Sequence, residues 1–416
     1  MNYLGIDFGT SGARAIAIDA VGQVVAETRC HYASDAAAGW QQALWSLLQQ
    51  LPGDIKKQTA AISIDGTSAT VLLCDRSGNP LTPAILYNDA RGGIPDVAPT
   101  DSPAHSATSS LSKALWWQQN LPTAILDKAY YLVHQADWLS SLLHGQSGIS
   151  DYNNALKLGY NPQTLKYPDW LMALDISPWL PRVLAPGAAI APIQANVAKR
   201  FGLPLSCIVK TGTTDSIAAF LASGASAMGE AVTSLGSTLV LKLLSPVAIN
   251  DAPSGIYSHR LGQYWLAGGA SNTGGAVLHQ YFSDLELDSL SPLIDSACPS
   301  GFNYYPLLKA GERFPINDPA LAPRLTPRPT DSVKFLHGLL EGMARIEALG
   351  YQKLTALGSG PVNRVYTAGG GAKNATWQAL REQILGVPLE PALHTEAAYG
   401  TARLAAGLAP GPSPES

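Results

Sequence analysis

Four short segments of this chain combine glycines with hydroxyl or carboxylate side chains in patterns suited to phosphate chemistry. The first is Asp7-Phe8-Gly9-Thr10-Ser11-Gly12. Glycines at a hairpin turn let backbone N–H groups converge on an anion. Thr10 and Ser11 add hydroxyl donors, and Arg14 brings a charge nearby. Asp7, at the end of an apolar strand, would repel a phosphate unless it serves a metal. A water-mediated Mg2+ contact supplies that role, because Mg2+ keeps several waters and bridges phosphate oxygens. The alternative is an ordinary β-hairpin that carries an aspartate.

The second segment, Leu235-Gly236-Ser237-Thr238, repeats this turn chemistry, or is a plain strand turn. The third is Gly212-Thr213-Thr214-Asp215-Ser216. A carboxylate at a strand-to-helix elbow can accept a hydroxyl proton as the oxygen attacks phosphorus; alternatively Asp215 caps the helix over residues 216–223. The fourth is Gly369-Gly370-Gly371-Ala372-Lys373-Asn374-Ala375. Its glycines let the backbone approach a flat or anionic ligand, with Lys373, Asn374 and Trp377 placed to fix an adenine or ribose; a tight strand–helix connection is the plainer reading. No Gly-Lys dipeptide, G-x-G-x-x-G, H-E-x-x-H or G-x-S-x-G element occurs. A Walker A loop, the dinucleotide fingerprint and the common hydrolase signatures are thereby excluded.

The elements that must position these segments alternate strand and helix. Strands are expected at residues 3–7, 13–19 and 23–28, then a helix at 40–50 with Trp40, Ala43, Leu44, Leu47 and Leu48 on one face. Strands at 60–65 and 71–73, helices at 110–119, 136–144 and 194–201, a strand at 208–210 and a helix at 216–223 complete an α/β half. The pattern then restarts. Strands are expected at 230–234, 238–244 and near 264–266, and a glycine-rich segment at 268–275 opens a helix. Residues 285–329, rich in proline, read as irregular. A long helix at 333–356, a strand at 364–367 and helices at 375–385 and 396–404 follow. Two domains are expected, 1–222 and 223–395, with 396–416 packing back on the first. Two such hairpins facing each other would form a paired phosphate clamp.

Composition narrows the function classes. The chain has 416 residues, 46% hydrophobic and 14% charged, enough for large cores. A net charge of −4 without a basic run argues against nucleic-acid binding. Cys30, Cys74, Cys207 and Cys298 form no C-x-x-C pair, so neither zinc spacing nor a disulfide framework is expected. No apolar run reaches the ~20 residues that span a bilayer, and the expectation is a cytoplasmic protein with no membrane partner, monomeric or homodimeric.

Together the segments resemble the FGGY carbohydrate kinases, over nearly the whole chain and in order. The resemblance rests on Gly5-Ile6-Asp7-Phe8-Gly9-Thr10, the Asp89 region, Gly212 to Asp215, Leu235-Gly236-Ser237-Thr238 and Gly369 to Asn374. It implies an α/β fold of two ribonuclease H-like ATPase domains, of the type found in actin, heat-shock chaperones and hexokinase, around a central cleft. It also implies ATP and Mg2+ as cofactors, a small sugar as substrate and Asp215 as catalytic base. Asp7 and Asp215 would sit by the metal through water, and Gly370, Gly371 and Asn374 with Trp377 would border the nucleotide. Xylulokinases of the family carry a Met-His pair where this chain has Gly66-Thr67-Ser68-Ala69-Thr70.

A shorter branch found in cyanobacteria and plants is more similar still. Phe8-Gly9-Thr10-Ser11-Gly12-Ala13-Arg14, Ile64-Asp65-Gly66-Thr67-Ser68, Asn154-Ala155-Leu156-Lys157-Leu158-Gly159 and Gly212-Thr213-Thr214-Asp215-Ser216 fit it. Its activity is phosphorylation of D-ribulose, which by resemblance places Asp7, Ser11, Gly12, Arg14, Ser68 and Asp215 around a ketopentose. ATP is expected on the second domain, with phosphate contacts from Gly9, Thr10, Ser11, Gly12, Gly236, Ser237 and Thr238. For Asp89 a salt bridge to Arg91 competes with a sugar contact. D-xylulose remains an alternative acceptor, as does an ATPase or sugar sensor on the same fold.

Overall fold

Alternation of side chains along the first strand decides how the first half packs. In the computed structural model, which describes residues 1–10, 12–32 and 36–410, Asn2–Phe8 turns Leu4, Ile6 and Phe8 toward one core. That core is completed by Trp40, Ala43, Leu44, Leu47 and Leu48 of the helix Ala37–Gln50. The intervening residues, Gly5 and Asp7, face the other side. Antiparallel neighbours Gly12–Ile18 and Val24–His31 lie on one flank, and Thr59–Gly66 runs parallel on the other. Beyond it the sheet continues through Ile208–Lys210 and Ala189–Pro192, while the short strand Thr213–Thr214 pairs with the far end of Thr59–Gly66.

The C-terminal helix Ala397–Ala406 covers the Gly5 face of this sheet. It lies so close that a Cβ on Gly5 would stand 2.1 Å from Ala402 N and 2.2 Å from Ala398 O. Met1–Ala222 and the chain from Glu396 therefore form one compact unit, and Ser223–Thr395 a second.

The second unit is built on a six-stranded sheet. Its order is Tyr257–Leu261, Tyr264–Ser271, Leu239–Ser245, Glu230–Leu235, Arg364–Ala368 and Leu389–Pro391. The helix Ser332–Leu354 presents Leu336, Leu339, Leu340, Met343 and Ile346 at helical spacing to the same core as Leu241, Leu243 and Phe314. Both units are thus α/β, each built on one principal sheet flanked by helices.

Two expectations need correction. The glycines 268–269 belong to the strand Tyr264–Ser271, where a Cβ on Gly268 would sit 1.9 Å from Leu241 O, and the helix begins only at Gly275. The region read as irregular contains the helix Asp284–Leu290, capped reciprocally by Ser283 and Glu286. Among the described residues, no helix is long and apolar enough to cross a membrane.

The Gly5 contact yields a test. Gly5→Ala must displace helix backbone and is expected to cost about 1–3 kcal/mol, as overpacking does. Gly53→Ala, with nothing within 4 Å of its added Cβ, should leave the denaturation midpoint unchanged or slightly raised. Equal effects of the two in chemical denaturation would contradict the packing account.

Candidate active site

Parallel pairing brings three aspartates to one end of the first sheet. In the register of Asn2–Phe8 with Thr59–Gly66, Asp7 stands opposite Asp65 and Phe8 opposite Gly66. Thr213 in turn pairs with Asp65 and Thr214 with Gly66, so Asp215 follows at the same edge. Close approach of the third segment requires Gly212, whose Cβ would lie 1.6 Å from Ile64 O. The Ser63 hydroxyl, donating to Thr211 O at 2.7 Å, fixes the same join.

Burial and mutual repulsion set the electrostatics. Asp65 is fully buried and accepts a hydrogen bond from the Thr401 hydroxyl of the C-terminal helix. Burial first, then the charge of Asp7, pushes its pKa well above the ordinary carboxylate range. Asp7 is raised too, by burial, with Asp215 adding repulsion, while a hydrogen bond with Asp65 pulls the other way. Both carboxylates are thereby pushed toward the neutral form, Asp65 the more strongly because it is the more deeply buried. Asp215 is half-buried at the first turn of the helix Asp215–Ala222, its carboxylate accepting Ser216 N–H at 2.7 Å. The sheet edge concentrates negative charge where a cation or a departing proton is favoured.

The other first-unit residues singled out by sequence take varied positions. Gly9 N–H donates to Gly12 O at 3.1 Å, closing the hairpin turn, and the Tyr32 hydroxyl donates to Gly9 O. Thr10 is exposed at that turn; Ser11 lies outside the described residues. Arg14, expected at the sugar, is the register partner of Asp7 and is engaged by Glu27 at 3.4 Å and by Glu396. Ser68 is half-buried in the turn that follows Asp65 and Gly66. Asp89 is held by Arg91, whose Nη2 lies 2.6 Å from its carboxylate.

Two further groupings in this unit invite chemistry and fail to support it. Ser110, His134 and Asp137 stand in a serine–histidine–carboxylate relay, with 3.1 Å at both contacts. Ser110 and His134 have no exposed surface, so no substrate reaches the hydroxyl. A cavity of about 840 Å3 near Trp45, Trp138 and Arg200 is lined by no acidic side chain and by none of the residues above.

In the second unit, a cavity of about 1000 Å3 brings together Gly236, Ser237, Gly370, Gly371, Asn374 and Trp377, six of the seven residues expected there at the nucleotide. Thr238 is not on its wall. Two parallel strands make this meeting: Glu230–Leu235 leads into the Gly236 turn, and Arg364–Ala368 into Gly369. Gly369 has φ of +86°, and its Cβ would lie 2.6 Å from Leu235 O. Asn374 also braces the cavity wall. Its Oδ1 caps the helix Ala375–Leu385 by accepting Trp377 N–H at 2.9 Å, and its Nδ2 donates to Ser291 Oγ at 2.8 Å. The amide shapes the wall and keeps one donor hydrogen and one acceptor lone pair. Leu278, Leu287 and Leu308, which sequence reasoning missed, supply apolar surface for a flat ring. The Ser283-x-x-Glu286 pattern was the available signal for the helix that carries Leu287.

Beneath this cavity a buried ion pair ties the two strands. Arg381 donates to Glu347 at 2.7 and 2.8 Å and to Thr367 Oγ1 at 2.9 Å. The Thr233 hydroxyl donates to Glu347 at 2.6 Å, and Thr233 is the register partner of Thr367.

Comparison with known proteins follows this division. Residues 2–94 match the N-terminal domain of the FGGY family of carbohydrate kinases, and residues 231–409 its C-terminal domain. The chain is 27% identical over 456 residues to a xylulose kinase of Streptomyces coelicolor, covering 98% of this chain and 88% of the relative. It is 25% identical over 428 residues to a gluconokinase of Bacillus licheniformis, covering 92% and 82%. A crystal structure of a xyloylose kinase from Brucella ovis superposes with a TM-score of 0.85 at 23% identity, covering 98% and 90% of the two chains.

The ion pair makes a sharp prediction. Arg381→Met strands a buried carboxylate and is expected to destabilise the second unit by about 3–5 kcal/mol, whereas replacing Arg381 and Glu347 together by methionine should recover most of the loss. Thermal unfolding of the two variants checks this; additive losses would contradict it.

Proposed function

Because the chain belongs to the FGGY family of ATP-dependent carbohydrate kinases, we propose that its acceptor is a ketopentose, D-ribulose, converted to D-ribulose 5-phosphate. The observation that carries this reading is the sheet edge itself. Asp7, Asp65 and Asp215 converge there, and the next residues form a Thr67–Thr70 turn that carries the half-buried Ser68 where xylulokinases carry Met-His.

Asp215 accepts the proton of the attacking hydroxyl, late in a transfer governed mainly by positioning and charge neutralisation. Asp7, Ser11 and Ser68 take the acceptor's other hydroxyls, and the Gly9–Gly12 turn offers its backbone to the phosphate. Arg14, bound to Glu27 and Glu396, stands beside Asp7 and adds positive charge to this edge. ATP occupies the second unit's cavity, with the base against its leucines and the phosphates toward Gly236 and Ser237. Among the described residues no group of three or more histidine, cysteine or carboxylate side chains could cage a metal. Mg2+ fits as an ion held by phosphate oxygens and water, with Asp7 and Asp215 as its outer partners. Bound so, it would neutralise phosphate charge. Water exclusion limits wasteful ATP hydrolysis.

A second reading, D-xylulose as acceptor, is favoured by the names of several relatives. Coupled measurement of ADP release with D-ribulose, D-xylulose, L-ribulose and gluconate separates the two. D-ribulose is expected to give the highest kcat/KM, by at least about tenfold. A reversed order would overturn the acceptor, and sugar-independent turnover would overturn the kinase reading. With the best acceptor, Asp215→Ala should lower kcat about 10²–10⁴-fold while ATP binding by calorimetry stays unchanged; retained turnover would remove Asp215 as the base.

A further inference from the structure

The turn that presents Ser68 passes through a residue whose side chain disfavours its conformation. Thr70 N–H donates to Thr67 O at 3.2 Å, and the third residue of this β-turn, Ala69, is fully buried with φ of +66°. Turns of this type call for glycine at that place, and a left-handed alanine costs roughly 1–2 kcal/mol. Such strain persists only where neighbours over-determine the conformation, and it gathers at ligand clamps.

Three contacts do so here. Thr67 donates to Gln135 Oε1 through its N–H at 3.1 Å and its hydroxyl at 3.0 Å. Thr70 Oγ1 accepts Tyr87 N–H at 3.0 Å. Lys113 Nζ donates to the Ala69 carbonyl at 2.6 Å and to Thr108 O at 3.0 Å. Lys113 has no exposed surface. Burying an ammonium on carbonyls is costly, and an apolar side chain would fill this place in the helix Ser110–Asn120 at less expense. Burial and the charge of Lys157 pull its pKa down to about 7, opposed by Asp89. The ammonium therefore needs a reason to be there. Ser68 is the one member of the turn whose side-chain hydroxyl has no partner among the described residues.

We propose that Lys113 is a positioning residue: its buried ammonium locks the strained Thr67–Thr70 turn and so holds the Ser68 hydroxyl pre-set for the sugar acceptor. This rests on the acceptor site assigned above. Lys113 does not itself touch the sugar; it acts through the Ala69 carbonyl, and its loss registers in acceptor binding rather than in the transfer step.

Lys113→Met keeps the apolar stem and removes the donors. The acceptor KM is expected to rise at least about tenfold, with kcat and the KM for ATP changed less than about twofold. Adding Ala69→Gly, which holds the left-handed conformation without a clamp, should bring the acceptor KM back to within about threefold of wild type. An unchanged acceptor KM, a joint collapse of kcat and both KM values, or no recovery with Ala69→Gly would each overturn the proposal. Should Lys113→Met not fold, the wild type supplies the test through acceptor binding by calorimetry between pH 6 and 8. The charged groups facing Lys113 are Lys157 and Asp89, the latter bound to Arg91. As pH rises through about 7 the ammonium loses its proton, its charge-assisted bond weakens, and affinity should fall at least about threefold; a flat profile would overturn the clamp. Wild-type turnover is measured first, so absence of any sugar-dependent activity overturns the acceptor site itself and is not mistaken for failure of the clamp.

Discussion

The first unit depends on a backbone contact too close for any side chain. Gly5 sits against Ala398 O and Ala402 N of the C-terminal helix, so a segment from the end of the chain lies directly on the strand that begins it. That helix brings Thr401 to Asp65, and Asp65 to its hydrogen bond with Asp7. Everything chemical in this unit follows from the arrangement. The strand ends are level, their carboxylates face the same side, and burial raises the proton affinity of Asp65 and Asp7. A site that shares a proton between neighbours while a third carboxylate stands half-open can both attract a cation and accept a hydrogen ion.

The second unit reaches a comparable result by different means. Its two glycine turns leave neighbouring parallel strands, which are tied together by Glu347, Arg381, Thr233 and Thr367. A buried ion pair of this kind adds little net stability over well-packed apolar residues, yet it punishes any other register. The clamp on Ala69 in the first unit works similarly, with a buried cation holding a conformation that backbone preference alone would abandon.

Much of this was legible in the sequence, because it is written in local patterns. Alternation at Leu4, Ile6 and Phe8, the glycine turns, and the apolar stripe of Ser332–Leu354 each declare an element within a few residues. What escaped notice lives in tertiary register. Asp65 reads as a strand end until its pairing with Asp7 across more than fifty residues is known. Arg14 looks like a free cation because Glu396, its partner, is almost the whole chain away. Lys113 is indistinguishable from a surface lysine on a helix. The helix Asp284–Leu290 was obscured by the prolines that follow it, although its capping box was in view. Glycines 268 and 269 misled in the opposite direction, since close packing of a strand calls for the same residue as a turn.

The central claim is that this edge of three aspartates delivers phosphate to a sugar rather than to water. Phosphorus NMR of one reaction mixture containing ATP, Mg2+ and D-ribulose tests it most directly. The account predicts a single new phosphomonoester at the C5 oxygen of the sugar, formed one for one with ADP. ADP accompanied by inorganic phosphate, with no sugar phosphate, would contradict it.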